Sequence, residues 1–156
     1  MPAKWQVQCQ NKLLYQQEKK AKKNSFLVSF FTPVGLYPTD LEEQLLCDEI
    51  FEVMQELSSK VPQHPDAEEK KKLREAFVAN TLPKYFTFLA NKSKGTYFIN
   101  GKLTIADLIF YSTMKSIRSG QWDHVDKDID SQYPELGTLI ALLDADEKLA
   151  AAGGKL

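Results

Sequence analysis

Cysteine is scarce in this chain: Cys9 and Cys47 are the two thiols among 156 residues. Two cysteines without metal-ligand spacing exclude a secreted disulfide framework and give no metal site. They point instead to a reducing compartment, so a cytoplasmic location is expected. Histidine is equally rare. His64 lies between Pro62 and Pro65, and His124 sits in a polar connection. Neither neighbours a plausible nucleophile, so a Ser-His-Asp arrangement is not supported. A glycine-rich phosphate loop is missing. No run approaches the roughly 18 apolar residues of a membrane helix. A formal net charge of −1 gives no reason to expect nucleic acid as a partner. No metal is expected.

What remains is an ordinary globular composition, 43% hydrophobic and 26% charged, in a length that favours one domain with its own core. Charge is distributed unevenly. Through Asn24 the chain carries six lysines against one acid, Glu18, which leaves the remainder acidic. That segment is rich in glutamine and has no arginine, unlike a mitochondrial presequence. It reads as a solvated tail or a short helix.

From Thr32 onward the pattern is helical. Thr39-Asp40-Leu41-Glu42 has the spacing of a capping box. Leu46, Ile50, Val53, Met54, Leu57 and Val61 then recur at intervals of three and four, which predicts a core stripe. Asp48, Glu52 and Glu56 share another face. They form either a solvated acidic surface or a face that meets something cationic. Cys47, near the apolar side, is expected to be a core thiol. Pro62 and Pro65 end this helix, and Pro65 can begin the next. Leu73, Phe77, Val78, Leu82, Tyr85, Phe86 and Leu89 supply the apolar side of that second helix. Pro83 is expected to kink or divide it.

A third helix is expected from Thr104 to about Arg118. Thr104 and Asp107 have the spacing of a reciprocal cap, and Leu103 with Leu108 that of a hydrophobic staple. Their role is structural. Tyr133-Pro134-Glu135-Leu136 opens a further helix whose apolar side is Leu139, Ile140, Leu142 and Leu143. A last helix, from Asp144 or nearby, is expected to end at Gly153-Gly154. Tyr97-Phe98-Ile99 is β-like but short. The predicted class is all-α.

The order of these signals resembles the C-terminal α-helical domain of the cytosolic glutathione S-transferase family. Four stretches carry the resemblance: Leu36-Tyr37-Pro38-Thr39-Asp40, Leu82-Pro83-Lys84-Tyr85-Phe86, Gly101-Lys102-Leu103-Thr104-Ile105-Ala106-Asp107, and Tyr133-Pro134-Glu135-Leu136. The third is the most specific. The likeness runs from residue 36 to 152 and is nearest the sigma-like, prostaglandin-synthase-like branch. It implies a bundle of about five helices over residues 36–156. Residues 1–35 are then a lysine-rich tail or the remnant of a thioredoxin-like domain, and the chain is expected to be incomplete.

Further expectations follow from the resemblance alone. Family members transfer the glutathione thiolate to small hydrophobic electrophiles and commonly form homodimers, with glutathione as substrate and not as cofactor. In such proteins a carboxylate on the first helix of this domain reaches the glutathione amino group bound in the partner subunit, and Glu56 holds the matching position. Lys12-Leu13-Leu14-Tyr15 resembles the first strand that ends in the catalytic tyrosine, and Asn24-Ser25 the serine pair that binds glutathione. Since most of the thioredoxin-like half is not present in these 35 residues, enzymatic activity is left open. The alternative is a non-catalytic protein-interaction module, like the helical domain of the translation elongation factor gamma subunit.

Overall fold

A computed structural model describes residues 31–147 and Leu149. Tyr15, Ser25, Cys9 and Gly153-Gly154 lie outside the described residues. Within them are five α-helices and one 3-10 turn, and no strand. The helices are α1 (Leu41–Ser59), α2 (Ala67–Asn80), α3 (Leu82–Ser93), α4 (Ile105–Arg118) and α5 (Pro134–Asp144), with the 3-10 turn at Ile129–Gln132.

Helix α1 begins one residue later than the Thr39 box predicts. Asp40 is the cap: its Oδ1 accepts from the amides of Glu42 at 2.9 Å and Glu43 at 3.1 Å. Asp40 is followed at once by two acids in the first turn, which complement the helix dipole. The buried stripe of α1 is Cys47, Ile50, Met54 and Leu57. Leu46, predicted to be core, is 40% exposed. Asp48, predicted to belong to an acidic face, is buried and accepts from Tyr37 Oη at 2.8 Å. Leu46, Cys47 and Asp48 lie about 100° apart in turn around the helix, so once Asp48 is drawn inward by Tyr37, Leu46 is carried outward.

Pro83 divides the second predicted helix. Helix α2 ends at Asn80, Thr81 alone intervenes, and α3 starts at Leu82 with proline in its first turn. A proline there lacks only an amide that the helix end leaves unpaired anyway. Asp66, not Pro65, caps α2, accepting from the amide of Glu69 at 2.9 Å. Leu73 is 43% exposed and the buried neighbour is Arg74. Helix α3 ends on Lys94 and Gly95, both with positive φ.

Between α3 and α4 the β-like segment forms a tight reversal and not a strand. Asn100 at φ 44° and Gly101 at φ 69° sit between Ile99 and Lys102, whose backbones pair across the turn. Two consecutive positive φ values are the mark of a type I′ turn, and Asn-Gly is its preferred pair. The turn feeds directly into the cap of α4. Thr104 and Asp107 form the predicted capping box, and its shortest bonds run from the Thr104 amide and hydroxyl to Asp107 Oδ2, both at 2.8 Å. Asp107 Oδ1 accepts the Phe98 amide at 2.9 Å. Leu103 and Leu108 both pack, partly buried, against the core.

Helix α4 packs on α1, α5 on α3, and α1 also meets α3. The core between them holds Ile50, Met54, Leu57, Phe86, Leu89, Phe110, Met114, Ile117, Leu136 and Leu139, all nearly without solvent contact. Edge-to-face pairs lock it: Phe98 on Phe110 at 5.5 Å and Phe86 on Tyr133 at 5.4 Å. In α5, Pro134 opens the helix as expected, and Leu136, Leu139, Ile140 and Leu143 are buried. Leu142 differs from expectation: it is 37% exposed. The last predicted helix lies largely outside the described residues, though Asp146 Oδ1 accepts the Leu149 amide at 3.2 Å, as a helix cap does.

Candidate functional site

The C-terminal half of α1 is flanked by two clefts. The larger, about 520 Å³, is lined by Val53, Glu56, Lys60, Thr81, Lys84, Tyr85 and Phe88. Glu56 and Lys60 stand one helical turn apart and pair at 2.6 Å, each about half exposed. Lys60 Nζ also donates to Tyr85 Oη at 2.7 Å and lies 5.4 Å from the centre of that ring. Hydrogen bonds from Lys60 and then Tyr85 hold the Glu56 carboxyl below its ordinary range, and Glu56 and Tyr85 raise the Lys60 ammonium above its own. Glu56 is therefore firmly ionised. The cation it meets is Lys60, one turn along its own helix. A carboxylate has about four lone-pair positions, so a second ammonium can still bind it from the cleft.

The smaller cleft, about 310 Å³, lies on the other side of the α1 end and is lined by Ser58, Val61, Gln63, Arg74, Thr113, Ser116, Gln121 and Trp122. Its lining comes from α1, α2, α4 and the two loops that follow α1 and α4. No acidic residue is among them.

The remaining acids of α1 have different duties. Asp48 is taken by Tyr37, whose hydroxyl is held above the usual phenol range by burial first and then by Asp48. Glu52 is partly buried. Cys47 has no solvent contact, and burial pushes its thiol up to about 11. It is a core residue, as expected, and not a nucleophile. Asp107 is enclosed by its three donors; burial raises its carboxyl, against the lowering effect of the Phe98 and Thr104 amides. Arg118 and the buried Asp130 pair at 2.6 Å and tie α4 to the 3-10 turn.

Among the described residues no group of His, Cys, Asp and Glu is placed to hold a metal ion, and no helix is long and apolar enough to cross a membrane. His64 accepts from the Asp66 amide at 3.1 Å and serves its local turn. Of the sequence-predicted site residues, Glu56 stands at the larger cleft and Thr104 and Asp107 at the far end of α4, while Tyr15 and Ser25 lie outside the described residues. Sequence reasoning missed Lys60 and Tyr85, although Lys60 lies at i+4 from Glu56, a spacing that predicts a pair. It also missed Arg74, which is buried.

No curated protein matches the chain closely enough to count as a relative. Residues 52–152 match the family model described as glutathione S-transferase, C-terminal domain. That match spans well over half of the chain and includes α2, α3, α4 and α5 with the capping box; the chain belongs to the glutathione S-transferase C-terminal domain family.

Proposed function

We propose that this chain acts in glutathione S-transferase chemistry, as the helical half that receives the electrophile and helps to hold glutathione. The observation that carries the reading is Glu56, an ionised, half-exposed carboxylate at the rim of a cleft in a domain of this family. In this reading Glu56 binds the amino group of glutathione in the partner subunit of a homodimer. A small hydrophobic electrophile rests against the C-terminal half of α1. The thiolate is activated by a hydroxyl hydrogen bond, with Tyr15 as the candidate donor and Ser25 as a further glutathione contact. The group transferred is glutathione itself, so no bound cofactor is needed.

A second reading is a non-catalytic interaction module of the same family. It is favoured by exposed leucines on α1: Leu41 at 68%, Leu45 at 58% and Leu46 at 40%. Apolar side chains grouped on one helix face are the usual material of a protein interface.

Recombinant full chain separates the two. The transferase reading expects retention on immobilised glutathione, reduced by Glu56→Gln, and conjugation of a dinitrobenzene-type electrophile. If both stay at background, that reading fails for this chain. A defined complex broken by Leu45→Lys would then carry the second.

A further inference from the structure

Arg74 is a feature that the reading above does not use. It is 2% exposed, the deepest cation among the described residues. Its Nε donates to the Pro62 carbonyl at 2.7 Å and its Nη1 to the Asp123 carbonyl at 3.2 Å. These two bonds clamp the loop after α1 to the loop after α4. They satisfy two of the three guanidinium nitrogens, and both acceptors are neutral. Nη2 makes no hydrogen bond with any described residue. Arg74 has no ion-pair partner there either: the nearby Asp123 carboxylate is held by Lys70 at 2.5 Å.

Asp123 feels the Arg74 charge but its carboxylate is bonded to Lys70, so the buried guanidinium is met directly only by two neutral carbonyls, an arrangement that favours a further anionic partner. Nη2 is not sealed in. The one fully enclosed side-chain polar atom without a partner among the described residues is Thr32 Oγ1, so Nη2 keeps access to the 310 Å³ cleft that Arg74 lines. Gln63, Ser116, Gln121 and Trp122 line the same space, and none of their side chains makes a hydrogen bond with a described residue. The cleft therefore offers a fixed positive charge, several uncommitted donors, no carboxylate, and apolar walls from Val61 and the Trp122 ring.

We propose that this cleft binds a small aromatic carboxylate, its carboxylate group seated on Arg74 Nη2 and its ring against Val61 and Trp122. A guanidinium N–H donates a charge-assisted bond to a carboxylate, and the orientation of Nη2 is already set by the two carbonyls that hold Nε and Nη1. The inference deepens the transferase reading by naming an anionic ligand class for the face beside α1. As a statement about binding it needs no glutathione and no turnover.

The test is a nuclear magnetic resonance titration of the full chain with benzoate and, in parallel, with neutral benzamide. The Trp122 indole N–H is assigned with a Trp5→Phe variant. Benzoate should shift that signal saturably, and benzamide should bind about tenfold more weakly or not at all. Arg74→Lys keeps the charge but loses the fixed Nη2 donor, and should weaken benzoate about tenfold. Because Arg74 also clamps two loops, a Ser116→Val/Gln121→Leu variant is measured beside it. That variant removes donors while leaving both carbonyl bonds intact, and should weaken benzoate even if Arg74→Lys does not fold. Equal binding of benzoate and benzamide, or no saturable shift up to the solubility of benzoate, overturns the proposal. Loss of conjugation with benzoate binding intact overturns the transferase reading alone.

Discussion

The carboxylate of Asp107 and the amide of Phe98, nine positions earlier, are joined by a buried bond of 2.9 Å. Through it the first turn of α4 and the Asn100-Gly101 reversal become one unit. The same carboxylate satisfies the amide and the hydroxyl of Thr104. Asp107→Ala would leave two buried backbone amides without acceptors, so it should destabilise the fold by about 2–4 kcal/mol. Urea unfolding of the two proteins checks this; midpoints within error of each other would show that the box does not hold the fold.

Glu56 and Lys60 give a prediction about protonation. The Glu56 carboxyl is held below its ordinary range in the folded chain by Lys60. A depressed folded value means that the pair's contribution to stability is present above the ordinary glutamate pKa and is lost as pH falls through the lowered one. Carbon-detected titration of the side chain should show the lowered value, and Lys60→Met should return it toward that of a free glutamate. An unchanged midpoint in the variant would mean that Lys60 is not the cause. Both side chains are half exposed, so little change in melting temperature is expected from the substitution.

Cys47 should be chemically silent. With its thiol pushed up to about 11 and no solvent contact, only on the order of one part in ten thousand is thiolate at neutral pH. In a Cys9→Ser background, Ellman's reagent should react promptly only after unfolding in urea. Prompt reaction of the native chain would contradict the packing of α1 against the start of α4.

The register of α1 can be tested by paired truncations. Leu57 has no solvent contact and Leu46 is 40% exposed. Leu57→Ala should cost about 2–5 kcal/mol, and Leu46→Ala under about 1 kcal/mol. Similar losses at both positions would place α1 as the simple apolar periodicity has it, with Leu46 inward.

That last comparison shows where the sequence was legible and where it was not. Signals that are local in the chain were readable: the Thr104–Asp107 box, the division at Pro83, the start at Pro134, and the order of motifs that marks the family. Mistakes arose where a distant residue decided the outcome. Leu46 and Leu73 look like core by hydrophobicity, yet each yields its place to a neighbour with a long-range polar bond, Asp48 to Tyr37 and Arg74 to Pro62 and Asp123. The cap of α1 had two adjacent candidates, Thr39 and Asp40, which spacing alone does not separate. Asn100-Gly101 was a readable turn signal that lay hidden behind the β-like residues before it. The smaller cleft was beyond reach, because Ser58, Arg74, Ser116 and Trp122 come from four separate segments.

Thr81 offers a closing consequence. One residue separates α2 from α3, its amide still bonded back to Phe77 at 2.9 Å and its carbonyl accepting from Lys84 at 3.2 Å, with Leu82 beside it buried. A proline break of this kind, with Thr81 still in the right-handed helical region, divides the helix without slack. Proteases cut where several consecutive residues can be drawn out into an extended strand, and this junction supplies none. The junction between α2 and α3 should survive limited digestion uncut.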